Sequence, residues 1–306
     1  MNRGVFMSPI WDPQEVVTES LANRLIEEQF PQLKPVKADV IGEGFDNTVF
    51  QVNNEYIFRF PRRQVAAQLL ETENTILPKL ADKLPIPIPK PTFIGVAGER
   101  YPWPFTGYPI VKGTTPGLLP APKRMQSVEE LAQFLKTLHR FPVRDALQLK
   151  VPYDELKRLD IKSRKPKLME NLDVAAELGL YTSQKELIPF IESLPPDKTI
   201  TELALVHGDL HPRNMLVDRK GKVSGIIDWG DTHIGNPAID LSIVYTFIPP
   251  EGRALFYSIY GSVDTQTENL AKFKAIYTTT LLLLYAHDNS NHQLIEECQE
   301  ILRQVL

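Results

Sequence analysis

The sequence predicts an α+β protein with a small antiparallel sheet in its N-terminal part and a mainly helical C-terminal part. Between Val36 and Phe60, short runs of β-branched and aromatic residues alternate with glycine and asparagine turns. From Ser127 to Arg140 apolar residues recur at helical spacing, and similar patterns continue to the C-terminus. The chain has 306 residues, which is the length of about two domains. We therefore expect two lobes with different secondary structure.

Composition limits the classes of partner. The hydrophobic content of 42% and the charged content of 24% are ordinary for a globular protein. The formal net charge of −4 and the lack of a Lys/Arg stripe argue against nucleic acid as a partner, because binding of the phosphate backbone needs a concentrated basic face.

Cysteine and hydropathy patterns indicate the compartment. Cys298 is the only cysteine, so an intramolecular disulfide cannot form, and a reducing, cytoplasmic location is the simplest interpretation. The longest nearly apolar run, Ala275 to Ala286, is too short to cross a bilayer, and the N-terminus lacks the apolar centre of a signal peptide. We expect a cytoplasmic monomer with no membrane partner.

The N-terminal elements begin with a helix. The order Asp12-Pro13-Gln14-Glu15 is typical of a helix start, and we expect this helix to end near Phe30. Three strands should follow, with a tight turn at Asn53-Asn54, since asparagine tolerates positive φ. Gly42 and Gly44 fall at the first turn, where missing side chains would let backbone N–H groups approach a triphosphate.

Arg59 stands between two phenylalanines in the third predicted strand. A cation at such a position needs an anionic partner, because an unpaired buried charge is costly. The helix predicted from Val65 to Leu77 carries two acids, Glu71 and Glu73, and either could supply that partner.

A change in composition marks the boundary between the lobes. A predicted strand from Phe105 to Val111 leads into a segment of turn-forming residues. We place an N-terminal nucleotide-binding lobe at 1–111 and a C-terminal catalytic and substrate-binding lobe at 112–306. A core helix from Ser127 to Arg140 should be capped by Ser127, with Glu130 completing a capping box.

The stretch from Leu205 to Asp231 reads LVHGDLHPRNMLVDRKGKVSGIIDWGD. Its apolar runs predict a buried hairpin with polar groups at the strand ends. Asp209, Asn214 and Asp228 thereby converge as two carboxylates and an amide oxygen. Oxygen ligands of this kind suit Mg2+, and the remaining carboxylate can orient and deprotonate an attacking hydroxyl.

The segment HGDLHPRN followed by IIDW resembles the catalytic signature of the aminoglycoside phosphotransferase family, which includes the macrolide phosphotransferases. The resemblance implies a two-lobed protein-kinase-like fold, with a small antiparallel-sheet N-lobe and a mainly helical C-lobe. It also implies transfer of the γ-phosphate of ATP or GTP to a hydroxyl of an antibiotic-like acceptor. Asp209 would be catalytic, and Asn214 and Asp228 would hold Mg2+.

The same resemblance assigns the nucleotide-binding residues. Arg59 stands where the family usually carries a lysine, although the macrolide branch has a similar Arg followed by Pro-Arg-Arg. Glu73 becomes its predicted partner, because ENTIL fits the family's Glu-x-x-x-Leu pattern. The hinge around Pro109 and Val111 would hold the nucleobase, with Val111 as the N–H donor because proline has none.

Other loop residues have structural interpretations. His207 should brace the loop by hydrogen bonding, and His211 is either functional or an ordinary loop residue. Asp240 should be a buried structural acid that caps the catalytic loop or its neighbouring helix, as the family resemblance implies. Cys298 should be a packing residue.

The acceptor is less well defined by the sequence. From Asp231 to the C-terminus there are nine acids and four Lys/Arg residues, which favours a cationic acceptor unless these acids only solvate the terminal helices. Two alternatives use the same residues: a housekeeping kinase of a sugar, choline or amino-alcohol, and a nucleotide-binding pseudokinase that acts through interactions.

Overall fold

The computed structural model describes residues 13–44, 46–181, 184–196 and 202–306. The chain forms two compact units. The N-terminal unit contains residues up to Ala81 together with Pro89–Ile110, and the C-terminal unit contains Asp82–Ile88 and Val111–Leu306. A five-stranded antiparallel sheet lies in the first unit and most helices lie in the second. The predicted α+β fold is confirmed.

The sheet of the N-terminal unit has the order β1-β2-β3-β5-β4, with every neighbouring pair antiparallel. The turn between β2 and β3 has the predicted positive φ, 52° at Asn53 and 58° at Asn54. Gly42 lies within β1 and pairs with Val49, so only Gly44 of the two predicted turn glycines lies in the turn itself. The strands are β1 (Ala38–Glu43), β2 (Asn47–Val52), β3 (Tyr56–Pro61), β4 (Phe93–Gly95) and β5 (Phe105–Pro109).

Aromatic side chains fill one face of this sheet. Phe60 and Phe105 stack with ring centroids 4.5 Å apart, and helix α1 (Glu19–Gln29) packs against the same cluster through Ile26. Since side chains alternate along a strand, Phe58 and Phe60 face this core while Arg59 between them faces the opposite side.

The predicted start of the first helix is wrong. The helix begins at Glu19, where the hydroxyl of Thr18 accepts the N–H of Leu21 at 3.3 Å. The N–H groups of Gln14 and Glu15 instead donate to the carbonyl of Arg62 at 2.8 and 3.2 Å. Hydrogen bonds to a distant part of the chain therefore form here in place of the first helical turn that the local sequence predicts. Asp12 lies outside the described residues. The predicted end near Phe30 is correct.

The C-terminal unit contains two short antiparallel strand pairs among its helices. Strand β6 (Ala204–Val206) pairs with β9 (His233–Gly235), and β7 (Met215–Val217) pairs with β8 (Val223–Ile226). The β7–β8 pair is the predicted hairpin.

Helix α2 (Gln64–Leu80) belongs to the N-terminal unit. The helices that follow it in chain order are α3 (Ala121–Met125), α4 (Val128–His139), α5 (Val143–Gln148), α6 (Ile161–Glu177), α7 (Gln184–Ser193), α8 (Ala238–Leu241), α9 (Ile243–Thr246), α10 (Pro250–Tyr260), α11 (Thr265–Asp288) and α12 (His292–Gln304).

Helix α4 forms as predicted, but Ser127 does not cap it through its side chain. The Ser127 hydroxyl accepts the backbone N–H of Val223 at 2.9 Å and so fixes the start of β8. Long helix α11 packs against α6, α8 and α12. In the described part of the chain, none of the helices is both long and apolar enough to span a membrane.

Candidate active site

The loop between β6 and β7 carries the predicted catalytic residue Asp209. It ends in a single 3-10 turn, Pro212–Asn214, in which the proline at the first position has no N–H that needs a partner. His211 precedes the turn, and its ring Nδ1 accepts the N–H of Arg213 at 3.2 Å. Local interactions therefore close the four-residue segment that separates Asp209 from Asn214.

The side chains of Asn214 and Asp209 are in direct contact. The Asn214 amide nitrogen donates to the Asp209 carbonyl at 2.9 Å and to Asp209 Oδ2 at 3.2 Å. Because both bonds use the amide nitrogen, the amide oxygen of Asn214 stays available for another ligand.

Asp228 is brought beside Asn214 by the hairpin. Met215 pairs with Ile226, and the N–H of Ile227 donates to the Asn214 carbonyl at 2.9 Å. Asp228 follows directly, with its side chain exposed and its backbone in the left-handed region at φ 63°. A non-glycine residue in this conformation is uncommon and often marks a functional site.

The electrostatics of the loop keep Asp209 ionised. Burial raises the pKa of the Asp209 carboxyl, but the hydrogen bond with His211 and the positive charge of Lys274 outweigh burial and hold that pKa below its usual value. His211 Nε2 lies 3.4 Å from Asp209 Oδ2. His211 therefore contacts the candidate catalytic group.

His207 braces the loop as expected. Its Nδ1 accepts the N–H of Asp209 at 3.3 Å, which leaves Nε2 as the donor to the Ile227 carbonyl at 3.0 Å. The ring is fully buried and packs on Trp229 with centroids 4.7 Å apart. One histidine thus connects the Asp209 loop to the chain segment that precedes Asp228.

Asp240 lies beneath the loop and is fully buried. Its carboxylate accepts the backbone N–H groups of His207 at 2.7 Å and Gly208 at 3.0 Å, as the family resemblance implied. His139 on α4 adds a third contact at 3.1 Å, and the Tyr260 hydroxyl lies 2.7 Å from the other ring nitrogen of His139. His139 and Tyr260 were not predicted from the sequence, since each is far from Asp240 in the chain and approaches it only through the fold.

A group of charged side chains adjoins Asp209. Gly208 lies so close to Asp231 that a Cβ on Gly208 would fall 2.1 Å from the Asp231 carbonyl oxygen. Arg158 donates to Asp154 at 2.8 Å and also bonds to Asp231. Lys274 on α11 is coupled electrostatically to both Asp209 and Asp231. We call Asp154, Arg158, Asp231 and Lys274 the charged cluster; none was identified from the sequence as a site residue, because their proximity arises only in the fold.

The predicted partner of Arg59 is present in the N-terminal unit. Arg59 Nη1 donates to Glu73 Oε2 at 2.8 Å and to Oε1 at 3.0 Å, and both residues are buried. Glu71, the other acid considered, is exposed. Helix α2 covers this side of the sheet, where Thr106 also donates to Asn74 at 2.9 Å.

The remaining predicted nucleotide contacts lie at two places in the chain. A Cβ on Gly42 would meet nothing within 4 Å, so the surface there is open, and Gly44 donates to the Asn47 carbonyl at 3.0 Å. Pro109 pairs with Tyr56 at the end of β5. The N–H of Val111 donates to no residue in the described ranges, so it is available to a ligand.

The chemistry of the donor set fits a hard cation. No three His, Cys, Asp or Glu side chains gather as a metal site within the part of the chain that the structure describes. The candidate ligands are one carboxylate, that of Asp228, and one amide oxygen, that of Asn214. The free amide oxygen of Asn214 and the exposed carboxylate of Asp228 are the oxygen donors that Mg2+ prefers, with water and phosphate completing its coordination.

The fold defines the class of protein. The GDP complex of wild-type aminoglycoside 2'-phosphotransferase-IIIa aligns with a TM-score of 0.66 and 25% identity, covering 94% of this chain and 98% of that chain. Macrolide 2'-phosphotransferase type I aligns with a TM-score of 0.58 and 19% identity over 94% and 98% of the two chains, which shows the shared fold. The architecture is that of the antibiotic phosphotransferases.

The sequence profile of the phosphotransferase enzyme family APH matches residues 37–275. The chain belongs to this family. The matched segment includes Arg59, Asp209, Asn214 and Asp228, so the residues that carried the resemblance in the sequence lie inside it.

Two curated relatives align with a smaller part of this chain. Aminoglycoside 3'-phosphotransferase of Streptomyces ribosidificus is 28% identical over 171 residues, which are 51% of this chain and 61% of the relative. The uncharacterized protein YcbJ of Bacillus subtilis (strain 168) is 28% identical over 86 residues, which are 26% of this chain and 28% of the relative. The chain thus covers less than two thirds of the length of either relative.

Proposed function

We propose that this protein transfers the γ-phosphoryl group of ATP or GTP to a hydroxyl of a small acceptor. The observation that carries the proposal is the contact between Asn214 and Asp209, with Asp228 held next to Asn214 by the hairpin. In a member of the phosphotransferase family, this arrangement fits a first carboxylate, Asp209, that activates the hydroxyl. The amide of Asn214 and the second carboxylate, Asp228, would then bind the metal.

Asp209 acts on the acceptor hydroxyl. Its carboxylate is ionised at neutral pH because its pKa is held low, chiefly by His211 against the opposing effect of burial. A carboxylate with a low pKa is a weak base, so its main role is to orient the hydroxyl, and it takes the proton as the phosphorus–oxygen bond forms. Hydrogen bonds from Asn214 fix the direction in which the carboxylate points.

Asn214 and Asp228 would hold Mg2+, which when bound neutralises charge on the donor phosphates. In Asn214 the amide nitrogen is held by Asp209, so its oxygen is presented in one direction. The left-handed backbone at Asp228 turns its carboxylate out of the β8 ladder, which ends at Ile226.

Residues 1–111 supply the nucleotide-binding groups in this proposal, which includes the division into a nucleotide-binding lobe at 1–111 and a catalytic and substrate-binding lobe at 112–306. Arg59, fixed by Glu73, contacts donor phosphates, and the backbone at Gly42 and Gly44 covers them. The N–H of Val111 binds the nucleobase beside Pro109.

The first acceptor class to test is the aminoglycosides. The Streptomyces ribosidificus relative is an aminoglycoside 3'-phosphotransferase, and a similar solved structure, at 25% identity and a TM-score of 0.65, is a complex with GDP and kanamycin. Macrolides are the second class, supported by the shared fold. A metabolite kinase acting on a sugar, choline or amino-alcohol would use the same catalytic residues and is the third class to test.

The test is turnover by purified protein with Mg2+ and either ATP or GTP, against aminoglycosides, macrolides and small alcohols. Formation of a phosphorylated acceptor, detected by mass spectrometry and lost in Asp209→Asn, supports the proposal. Tight nucleotide binding without consumption of ATP or GTP on any acceptor would instead support the non-catalytic alternative.

A further inference from the structure

His233 is a buried histidine with no part in the reaction as described so far. It lies in β9, where it pairs with Val206, the last residue of β6, and it is 2% exposed. Its ring Nδ1 lies 2.6 Å from the carbonyl oxygen of Asp231. Because a carbonyl oxygen only accepts, Nδ1 must carry the hydrogen and donate it.

The other ring nitrogen shows that His233 is uncharged. Nε2 is buried and has no hydrogen-bond partner among the residues that the structure describes. A second N–H at this position would be buried without an acceptor, which is costly, and the ring would carry a buried charge. Burial lowers the pKa of this imidazole, which acts in the same direction. His233 is therefore held as the neutral tautomer with its hydrogen on Nδ1.

The hydrogen bond from His233 to Asp231 lies directly against the backbone of Gly208. A Cβ added to Gly208 would fall 2.1 Å from the Asp231 carbonyl oxygen and 2.8 Å from Nδ1 of His233. Donor and acceptor thus both touch the residue that precedes Asp209. At the other ring nitrogen, a Cβ on Gly235 would fall 2.7 Å from Nε2. The imidazole fills a narrow space between two glycines and has little room to move.

Asp231, a member of the charged cluster, is held by its side chain as well as by its carbonyl. Its carboxylate bonds with Arg158, which also donates to Asp154 at 2.8 Å. Arg158 supplies the contact on the side-chain end of the residue, and His233 supplies the contact on the backbone end. Together they keep the Asp231 carbonyl at one position against Gly208.

We propose that His233 is a positioning residue for phosphoryl transfer: by donating its Nδ1–H to the Asp231 carbonyl, it fixes the backbone of Gly208 and thereby the position of Asp209. This inference rests on the proposed function and adds to it a residue that touches neither the nucleotide nor the acceptor. Without the hydrogen bond, the Asp231 carbonyl can turn and the backbone at Gly208 can follow it.

The turn that follows Asp228 does not depend on His233. The carbonyl of Trp229 accepts the N–H of Thr232 at 3.1 Å and the Thr232 hydroxyl at 2.7 Å. Loss of the His233 hydrogen bond should therefore leave Asp228 and nucleotide binding in place. A displacement of about 1 Å at Asp209 is enough to lower the rate roughly 10²-fold, so the effect should fall on kcat.

The experiment compares His233→Asn with His233→Leu in the full chain. The Asn amide can place an N–H near the position of Nδ1, whereas Leu has a similar size and no donor. His233→Ala is a second variant without a donor, in case Leu does not fit between the two glycines. Leu302→Ala, which removes a buried side chain from α12, is the control for a loss of stability elsewhere in the fold.

Four measurements are made. They are kcat with an acceptor found among the aminoglycosides, macrolides and small alcohols, the affinity for ADP with Mg2+, the free energy of unfolding in urea, and an NMR correlation of the ring nitrogens of the wild-type protein. Retained affinity for ADP shows that a variant is folded. The NMR correlation reports which ring nitrogen carries the hydrogen and needs no acceptor.

We expect the variants without a donor to lose roughly 10–10²-fold in kcat with little change in the affinity for ADP. His233→Asn should retain most of kcat, and Leu302→Ala should lose stability but not kcat. The inference is overturned by full kcat in a folded variant without a donor, by equal losses of kcat in the Asn and Leu variants, or by a hydrogen on Nε2 of the wild-type ring. The phosphotransferase proposal fails by a different observation, a wild-type protein that binds no nucleotide and phosphorylates no acceptor.

Discussion

Asn214 donates a hydrogen bond from its amide nitrogen to Asp209 Oδ2 at 3.2 Å and a second to the Asp209 carbonyl at 2.9 Å. The candidate metal ligand therefore also fixes the candidate catalytic carboxylate. Because the backbone carbonyl of residue 209 holds Asn214 whatever the side chain there, changes to the Asp209 side chain should separate chemistry from nucleotide binding.

Asp209→Asn keeps the size of the side chain and removes the charge. We expect kcat for phosphoryl transfer to fall by roughly 10²–10⁴-fold, the usual contribution of a positioned base, while the affinity for nucleotide changes little. Steady-state kinetics and nucleotide titration measure the two quantities. Asp218→Asn, at an exposed turn position, is the control; full turnover by Asp209→Asn would remove this residue from the mechanism.

The buried pair of Arg59 and Glu73 should matter for both stability and nucleotide binding. Glu73→Gln leaves the Arg59 charge without its carboxylate in a buried site, which costs about 3–5 kcal/mol. Denaturant unfolding measures this loss, and the KM for ATP or GTP should rise because Arg59 is no longer fixed. Glu71→Gln on the same helix is exposed and should change neither; similar effects at both positions would contradict the assignment.

Local patterns predicted the elements that local interactions determine. The Asn53-Asn54 turn and the β7–β8 hairpin formed where expected, because their residues satisfy turn and strand preferences within a few positions. The position of Arg59 between two core phenylalanines predicted a buried anionic partner, and the fold provides Glu73.

Predictions failed where distant chain segments compete for the same backbone groups. The first helix starts at Glu19 because Arg62 accepts the N–H groups that an earlier helix start would have used, and Ser127 bonds Val223 in place of its own helix. Lys274 carries no motif, and its electrostatic interaction with Asp209 arises only through the packing of α11 on α6 and α8. Interactions of this kind can be identified only from the folded structure, because the residues involved are far apart in the chain.

Asp240 should give the fold an acid-sensitive contribution. Burial raises the pKa of this carboxyl, but the hydrogen bond and charge of His139, with His207 and the loop N–H groups, hold the pKa below its usual value. A depressed folded-state pKa stabilises the protein above the unfolded-state value of about 4. The contribution is then lost as the pH falls through the lower, folded-state pKa.

Asp240→Asn should therefore lower the free energy of unfolding at pH 7, and the difference from wild type should shrink below about pH 4. Urea unfolding between pH 7 and pH 3 tests this, with Asp145→Asn, an exposed position, as the control. A difference that is the same at every pH would show that Asp240 acts through shape and hydrogen bonding alone.

Cys298 should be unreactive in the native protein. The residue is 1% exposed, and burial raises the pKa of its thiol to about 12, so almost no thiolate exists at pH 8. We expect a thiol reagent to label Cys298 only after denaturant is added. Rapid labelling of the native protein at pH 8 would contradict the burial of this side chain.

Gly208, in the loop between β6 and β7, should tolerate an added side chain less well than Gly179, which follows helix α6. The φ of Gly208 is 90°, and an added Cβ would lie 2.1 Å from the Asp231 carbonyl oxygen. Gly179 also has positive φ, 69°, but a Cβ there meets nothing within 4 Å. Gly179→Ala therefore isolates the cost of the backbone conformation, about 1–2 kcal/mol, without a steric clash.

Gly208→Ala adds the clash to that cost and must displace Asp231 or Asp209. We expect a larger loss of unfolding free energy than in Gly179→Ala, together with a large loss of kcat that Gly179→Ala does not show. Urea unfolding measures the loss of stability, and turnover of an acceptor found among the aminoglycosides, macrolides and small alcohols measures the loss of kcat. If both variants lost stability equally and kept full turnover, close contact between Gly208 and Asp231 would not be required to align Asp209.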